Sequence, residues 1–421
     1  MAGAVALGVA MGIGRFAFTP ILPMMLHDGV VDLPTASWLA SANYLGYLIG
    51  ALLCTFQPWI WRRLEGLPAV APARMLRGGL IATCLLTIGM AGHWPALWPL
   101  WRLLAGIASA FVFVYTSGWC LANLARLGVP AMGGFIYVGP GAGIVLSGLF
   151  AGVMVGQGWT STAAWLVFGA LAVALTLWVW RVFDGGTNPH AAGPAASSAG
   201  PAVRTGGTVV TNGTVPAASA GAAAGTAAAS MPAARAQLGW LTLAYGIAGF
   251  GYIITATFLP VIAREALPGS AWIQVFWPVF GLGVMLGAVL ATRVPSTADM
   301  RLWLGGCYLV QAVGVLASVA TPSLAGFAIG SFMLGLPFTA ITFFAMQEVR
   351  RLRPVAPASA MGLLTAMYGL GQIVGPPLVA WLIRHSDTPG QGFTLALETA
   401  AAALLAGAAL YGWTARRHPM R

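Results

Sequence analysis

Lysine is absent from this chain of 421 residues, and acidic residues are scarce. All 20 basic residues are arginines, and only 9 residues are aspartate or glutamate. In total 7% of the residues are charged and 59% are hydrophobic, whereas soluble domains carry roughly 25% charged residues. This shortage of charge excludes a soluble globular protein. Arginine without lysine, in an alanine-rich chain, is typical of a GC-rich bacterial coding bias.

Cysteine is also scarce, and its placement excludes a metal centre. The four cysteines lie inside apolar runs without the spacing of metal ligands, which indicates small residues that pack between helices. No zinc motif, nucleophile elbow or phosphate-binding loop occurs in the sequence. We therefore predict no metal, no cofactor and no enzymatic activity.

Long uncharged runs are what the sequence has instead. A helix needs about 20 apolar residues to cross about 30 Å of hydrocarbon, and two of the runs are long enough for two crossings. The single crossings are residues 33–61, 78–101, 103–125, 236–263, 266–292 and 354–383, with a first run at about 3–26 and a last at about 391–415; the double ones are 127–180, divided at Gly156–Ser161, and 302–347, divided at Thr321–Pro322. The sequence thus predicts an all-α membrane protein with twelve transmembrane helices.

The first apolar run recurs 237 residues later in the chain. Gly12, Gly14, Leu22 and Pro23 are matched in register by Gly249, Gly251, Leu259 and Pro260, and Gly46 and Gly50 by Gly283 and Gly287. We predict two pseudo-symmetric six-helix bundles, residues 1–183 and 236–421, as in one large class of secondary transporters. Residues 184–235 are rich in Ala, Gly, Ser, Thr and Pro and predict a disordered cytoplasmic linker. The paired glycines predict close helix contacts.

The net charge of +11 reflects membrane topology. If the first span runs outward, sixteen arginines fall in inside connections and two, Arg264 and Arg384, outside. The positive-inside rule then predicts a multi-pass protein of the bacterial inner (cytoplasmic) membrane with both termini in the cytoplasm. The expected partner is the lipid bilayer, and a nucleic-acid partner is not expected.

Functional residues are expected at positions where the two halves differ. The largest differences are two arginines in the first half. Arg15 lies near the middle of the first span and corresponds to Tyr252. An arginine at that depth costs about 2.5–3.5 kcal/mol on insertion scales, so it needs a wet cavity or a partner. Thr19 lies one turn further on the same face. Arg102, in the fourth span, corresponds to Ser331. Arg15 is interpreted as a substrate contact or a packing residue, and Arg102 as a site residue or a side chain that snorkels to the interface.

Three further pairs of polar residues share a helix face: Asn43 with Tyr47, Tyr245 with Tyr252, and Tyr368 with Gln372. Each pair could bind substrate or form hydrogen bonds between helices. The candidate substrate-binding residues are therefore Arg15, Thr19, Asn43, Tyr47, Arg102, Tyr245, Tyr252, Tyr368 and Gln372.

Few residues could carry a coupling proton. Glu398, in the last span, is the one acid clearly inside an apolar run, so Arg102 and Glu398 are the coupling candidates. Glu348 closes the tenth span beside Arg350 and Arg351, which favours a surface ion pair. Glycine and proline predict bends in the fifth and eleventh helices; these packing or hinge residues are Gly139, Pro140, Gly143, Gly375 and Pro376.

The motifs Gly12–Pro23 and Trp38–Gly50 closely resemble those of the bacterial YbfB/YjiJ-type transporters of the major facilitator superfamily, and Gly371–Pro377 is similar to the same family. The resemblance implies the major facilitator fold, alternating access, and a cavity lined by helices one, four, seven and ten. Arg102-x-x-x-Gly106 is similar to a fourth-helix motif linked to proton coupling. The segment from Gly139 to Gly143 is similar to a fifth-helix motif of exporters.

Together these patterns predict a monomeric secondary active transporter that moves a small organic solute, anionic or polar, with coupling to protons. Two buried arginines and almost no buried acid favour an anion. The alternative is a multidrug exporter of amphipathic compounds. A more remote alternative is a non-transporting membrane sensor or enzyme.

Overall fold

The computed structural model describes residues 1–63, 71–127, 130–184, 218–295, 297–353 and 358–419. Within these ranges the regular structure is helical and contains no β-strand. Eleven helices there are long and apolar enough to cross a membrane. The twelfth, Pro72–Gly89, has a lower mean hydropathy because Arg74 and Arg77 lie in its first two turns. The prediction of an all-α protein with twelve helices is confirmed.

The first six spans form the N-terminal bundle. Span 1 runs from Ala2 to His27 and is interrupted. It consists of α-helix Ala2–Leu7, π-helix Gly8–Ile13, a turn, and α-helix Phe18–His27. Spans 2 to 6 are Leu33–Arg63, Pro72–Gly89, Trp98–Arg126, Val138–Gly156 and Ser161–Val179.

The other six spans form the C-terminal bundle. Span 7, Ala218–Ala266, is one continuous helix. Spans 8 to 12 are Phe276–Ala291, Met300–Ala320, Leu324–Leu352, Ala358–Arg384 and Pro389–Arg417. Span 10 is divided at Pro337 into Leu324–Gly335 and Phe338–Leu352. Because spans alternate in direction, span 1 begins and span 12 ends on the same side of the bundle, here called the terminus side.

Several predicted boundaries differ from the structure, and two of the differences are informative. The third span was predicted at 78–101, but its helix ends at Gly89, and span 4 begins at Trp98. The connection around Trp94 is apolar and therefore extends the hydrophobic run although the chain turns there. Span 7 begins at Ala218, inside the predicted linker, so the helix starts earlier than the composition indicates. Residues 185–217 of that linker lie outside the described residues.

The paired glycines bring helix backbones together within each half. A Cβ atom at Gly46 or Gly50 would collide with the carbonyl of Leu103 or Ile107 in span 4. Their repeats make the equivalent contacts between spans 8 and 10, where Gly283 and Gly287 face the carbonyls of Phe332 and Leu336. The predicted close approach is confirmed, and it uses the backbone contacts by which helices associate in lipid.

A buried charge cluster lies at the terminus side of the C-terminal half. Arg301 binds Asp299 through two hydrogen bonds of 2.8 and 2.9 Å and also donates to the carbonyls of Thr414 and His418. Glu348 is only 1% exposed and accepts two bonds from Arg351. The predicted ion pair of Glu348 is thus present, with Arg351, but it is not a surface pair, because the Glu348 carboxylate is buried.

Two acids at the other side cap helices. Asp28 accepts hydrogen bonds of 2.6 Å from the backbone N–H and the hydroxyl of Ser161 at the start of span 6. Asp32 accepts a bond of 2.8 Å from the backbone N–H of Thr35 in span 2. The hydrogen bonds from Thr35 lower the pKa of Asp32. Both carboxylates thus satisfy the free N–H groups at a helix start.

The two halves meet near the pseudo-twofold axis of the repeat. Thr19 donates a hydrogen bond of 3.1 Å to the carbonyl of Ala256, which is its own counterpart 237 residues later. A contact between equivalent residues lies close to the symmetry axis. Tyr44 and Thr257 are 2.8 Å apart beside it, and Ser41 donates to the carbonyl of Ile373. Span 2 also packs along span 11, and span 5 along span 8.

Candidate functional site

The site begins with the interruption of span 1. The N–H groups of Gly14 and Phe16 bond the carbonyls five residues back, at Val9 and Met11, and the N–H of Thr19 bonds Phe16 three residues back. Pro20 has no N–H to donate. In a regular helix the N–H of Thr19 would bond the carbonyl of Arg15. Here that N–H bonds the carbonyl of Phe16 instead.

Arg102 of span 4 holds the carbonyls that the interruption releases. Its guanidinium donates to the carbonyls of Gly14 and Arg15, both at 3.3 Å, and lies 4.7 Å from the ring of Phe18. The residue is only 2% exposed, so it does not snorkel to the interface. Two turns along the same face, the Ser109 hydroxyl donates to the carbonyl of Ala10 at 2.8 Å. Span 4 thus supplies the hydrogen bonds that make an irregular backbone stable in a membrane.

Arg15 lies in this interruption and points across to the other half. Its guanidinium donates to the side-chain carbonyl of Gln372 in span 11 at 2.6 Å. The guanidinium carbon is 4.2 Å from the ring centre of Tyr47 and 5.2 Å from that of Tyr44. The residue is 4% exposed, and no acidic side chain of the described residues pairs with it. Its Nε atom is buried and has no hydrogen-bond partner among them.

Three tyrosines from the C-terminal half continue the site. Gln372 also donates to the hydroxyl of Tyr252. The ring of Tyr368 lies 5.7 Å from that of Tyr252 at 18° and 4.7 Å from that of Tyr245 at 30°. Phe338 of span 10 lies edge-on to Tyr252 at 4.9 Å. The result is a near-parallel group of rings beside one uncompensated positive charge.

Exposure around Arg15 differs between the two sides. Thr19 and Tyr44, with their cross-half hydrogen bonds, are buried on the side away from the termini. Tyr47, Tyr368 and Thr342, which lie further toward the terminus side, are half-buried. The halves are therefore bonded together on one side of Arg15, and partly exposed polar and aromatic groups lie on the other.

The structure brings together seven of the predicted site residues: Arg15, Tyr47, Arg102, Tyr245, Tyr252, Tyr368 and Gln372. Thr19 bonds the other half one turn away. Asn43 is elsewhere, because its amide donates to the carbonyl of Arg102 at 2.9 Å and packs span 2 on span 4. Glu398 is exposed on the outer face of span 12 and does not reach the cluster.

The predicted hinge residues pack against neighbouring spans. Gly139 and Gly143 face the backbone of span 1, where a Cβ would collide with the carbonyls of Ala4 and Gly8. Pro140 is buried beside them. Gly375 faces Ile253 of span 7, and span 11 is one helix that continues through Pro376.

Sequence reasoning missed Tyr44, Ser109 and Phe338. Asn43 and Tyr47 were paired because residues four apart share a face, but Tyr44 and Tyr47, three apart, are the two that cover Arg15. Both spacings satisfy helix periodicity. Seven-residue spacing from Arg102 could have identified Ser109, because that spacing returns to the same helix face.

Comparison with known proteins agrees with this architecture. The sequence profile of a family described as "Uncharacterised MFS-type transporter YbfB" matches residues 7–212 and 202–411. Among solved structures, a crystal structure of the nucleoside transporter NupG is similar, with a TM-score of 0.68 over 98% of both chains and 12% sequence identity. At that identity the likeness shows the fold alone. No curated protein matches the sequence.

Proposed function

The chain belongs to the YbfB-type family of MFS transporters, and from that premise we propose that it carries a small organic anion across the bacterial inner membrane by alternating access. The observation that carries the proposal is Arg15: a buried guanidinium near the pseudo-twofold axis, with no acidic partner among the described residues. Arginine binds carboxylate and phosphate groups by paired, charge-assisted hydrogen bonds. An anionic substrate supplies the missing negative charge.

Gln372 is proposed to be the partner that Arg15 exchanges for substrate. The two residues belong to different halves and share one hydrogen bond between a cation and a neutral acceptor. A carboxylate adds the attraction of an opposite charge and can accept two parallel bonds from a guanidinium. An anion that enters from the terminus side thus competes effectively with Gln372, and its release lets the bond form again.

The way the halves meet supports alternating access. The bonds Thr19–Ala256 and Tyr44–Thr257 close the side away from the termini. These are a few neutral hydrogen bonds, each worth on average about 0.6 kcal/mol in a membrane protein. Rocking of the halves about the axis can break them and expose Arg15 to the other side.

The arginine distribution supports the orientation. In the predicted topology sixteen arginines fall on the side of both termini and two on the other, so we propose that the termini are cytoplasmic.

We propose that the driving force for transport depends on the charge of the substrate. Arg102 is bonded to backbone carbonyls and Glu398 is exposed on the outer face, so neither offers a proton carrier at Arg15. A membrane potential acts on an anion by about 2.3 kcal/mol per 100 mV. It drives the anion outward and opposes its entry, and a proton that accompanies the anion would remove that opposition. Transport measured in vesicles with an imposed membrane potential and equal pH on both sides distinguishes outward from inward movement of the anion.

The experiment that tests the proposal is substrate exchange in proteoliposomes with a panel of radiolabelled organic acids. We expect at least one acid to exchange with the wild type and Arg15→Gln to abolish the exchange. Arg384→Gln, at an exposed arginine that ends span 11, is the matched control and should exchange normally. Normal exchange by Arg15→Gln would refute the anion contact.

The alternative, export of amphipathic drugs, rests on the half-buried rings of Tyr47 and Tyr368. It is distinguished in the same vesicles. Uptake of neutral or cationic amphipathic dyes that survives Arg15→Gln would favour this alternative over an anion carrier.

A further inference from the structure

We propose that a groove between spans 8, 9 and 10 binds an acyl chain of an anionic phospholipid. Spans 8 and 9 both pack on span 10, and a cavity of about 410 Å³ lies between them. Its floor is formed by four residues of span 10: Leu336, Pro337, Ala340 and Phe344. Ligand-binding pockets have volumes of about 300–1,000 Å³. The groove is large enough for a ligand, and none of its lining residues belongs to the Arg15 site.

The groove opens toward lipid. Leu290 of span 8 and Leu302 and Trp303 of span 9 line it and are exposed. All three belong to membrane-spanning helices, so the medium that they face is hydrocarbon rather than water. The molecule that reaches the groove from this medium is an acyl chain, which is as apolar as leucine.

The length of the groove matches one leaflet of the bilayer. The lining extends over eight positions of span 9, from Leu302 at the terminus-side end to Val310, which is a rise of about 12 Å. One leaflet provides about 15 Å of hydrocarbon, half of the core thickness of about 30 Å. An acyl chain can therefore lie in the groove while its headgroup remains at the terminus-side surface.

Arg293 lies where that headgroup would be. It follows the end of span 8, directly precedes Val294 of the groove lining, and is exposed. No acidic side chain of the residues that the structure describes pairs with it. The acids of this side are occupied, because Asp299 binds Arg301 and Glu348 binds an arginine of its own helix. An unpaired arginine at the membrane surface attracts a phosphate and favours an anionic headgroup.

The equivalent place in the first half carries larger side chains that are joined to one another. In the register of the repeat, Phe111 takes the place of Ala340. Tyr115 joins span 4 to Gln57 of span 2 by a hydrogen bond, whereas its counterpart, Phe344, has no hydroxyl. The smaller side chain and the missing bond leave space between the helices of the second half.

The test measures phospholipid binding to the purified full-length protein by native mass spectrometry. Dioleoylphosphatidylglycerol has long chains and an anionic headgroup, dioleoylphosphatidylcholine has the same chains with a zwitterionic headgroup, and dihexanoylphosphatidylglycerol has the anionic headgroup with short chains. We expect the first lipid to give one binding event that is tighter than any with the other two. Equal affinity of the two dioleoyl lipids would overturn the anionic headgroup. Equal affinity of the two phosphatidylglycerols would overturn the acyl-chain site.

Filling the groove tests its location. Gly306 lines the groove, and a Cβ atom there would meet nothing within 4 Å, so Gly306→Leu adds a side chain where the backbone has room for it. Gly78→Leu is the matched control, at an exposed glycine of span 3 whose Cβ would also meet nothing within 4 Å. We expect Gly306→Leu to lose the tight binding event and Gly78→Leu to keep it. Loss in both variants, or in neither, would overturn the assignment to this groove.

The charge is tested by Arg293→Gln. It should weaken binding of dioleoylphosphatidylglycerol about fivefold, the contribution of one basic residue near an anionic headgroup, and leave dioleoylphosphatidylcholine unchanged. Arg416→Gln, at an exposed arginine near the terminus-side end of span 12, is the control and should bind as the wild type does. Equal binding by these two variants would overturn the role of Arg293. If Gly306→Leu does not fold, this pair and the wild-type comparison decide.

Discussion

Span 1 and span 7 are copies of one helix, yet one is interrupted and the other is continuous. Both keep the two glycines and the proline of the repeat, at Gly12, Gly14 and Pro23 in the first half. Span 1 has a second proline, Pro20, where span 7 has Thr257. The extra proline withholds one N–H, and the helix continues as a π-helix and a turn at Arg15.

Span 4 of the first half and its counterpart, span 10 of the second half, differ correspondingly. Span 4 carries Arg102, which binds the two released carbonyls, and span 10 carries Ser331, which bonds Phe327 of its own helix. Span 7 releases no such carbonyl and needs no such donor. The comparison teaches that the asymmetry is a set of three coupled changes: a proline that opens the backbone, an arginine that stabilises it, and a second arginine that the opening presents to the other half.

Exchange of Arg15 with its counterpart Tyr252 gives the largest expected effect. The double variant Arg15→Tyr with Tyr252→Arg keeps the composition of the site but moves the charge to the continuous helix. We expect transport to fall at least about a hundredfold, because an arginine there lacks its supports and costs about 2.5–3.5 kcal/mol. Exchange in proteoliposomes measures it, with Tyr252→Phe as the control. Activity within tenfold of the wild type would mean that the halves are interchangeable.

Removal of the partner arginine should be the next largest effect. Arg102→Ala leaves two buried carbonyls without donors, at about 1–3 kcal/mol each, so we expect a loss of thermal stability of several degrees and impaired transport. Ser331→Ala, the equivalent change in the other half, should alter both by little. Similar losses in both variants would show that Arg102 has no special role. Melting temperatures and exchange rates provide the two measurements.

A proline substituted into span 7, at the position that corresponds to Pro20, tests the cause of the interruption. Thr257→Pro removes one helix hydrogen bond and should destabilise the protein by about 3 kcal/mol, since no arginine supports the opened backbone there. Thr257→Val, which removes only the bond to Tyr44, is the matched control and should cost about 0.6 kcal/mol. Equal melting temperatures for the two variants would contradict this account.

The smallest effect is expected at the axis itself. Thr19→Val removes the bond to the carbonyl of Ala256, worth about 0.6 kcal/mol. The closed side should then open more often, which labelling of a cysteine introduced at Ser41, a buried residue at the contact between the halves, reports as an increase of two- to threefold, from RT ln K. Labelling that is unchanged, or slower, would remove Thr19 from the gate. The same cysteine in an otherwise wild-type chain is the reference.

Most of the fold could be predicted from the sequence because a membrane helix is recognisable from its own run of apolar residues. The divisions at Gly156–Ser161 and Thr321–Pro322 agree with helices that end at Gly156 and Ala320. The third span was misplaced because the apolar turn at Trp94 looks like helix in a hydropathy pattern. The candidate site was only partly readable: Arg15 is unusual in any apolar run, whereas Asn43 and Tyr44 differ by one position and face different neighbours.

By itself, the sequence determined the membrane class, the number of helices, the duplication and the presence of a costly arginine at mid-membrane. These depend on composition, length and repetition, which are properties of the chain. Tertiary structure alone decided that Arg15 meets Gln372 and a group of tyrosines, that Arg102 bonds backbone, and that Glu398 faces outward. Those contacts join residues up to 357 positions apart. They depend on how twelve helices rotate and pack against one another, which no local pattern specifies.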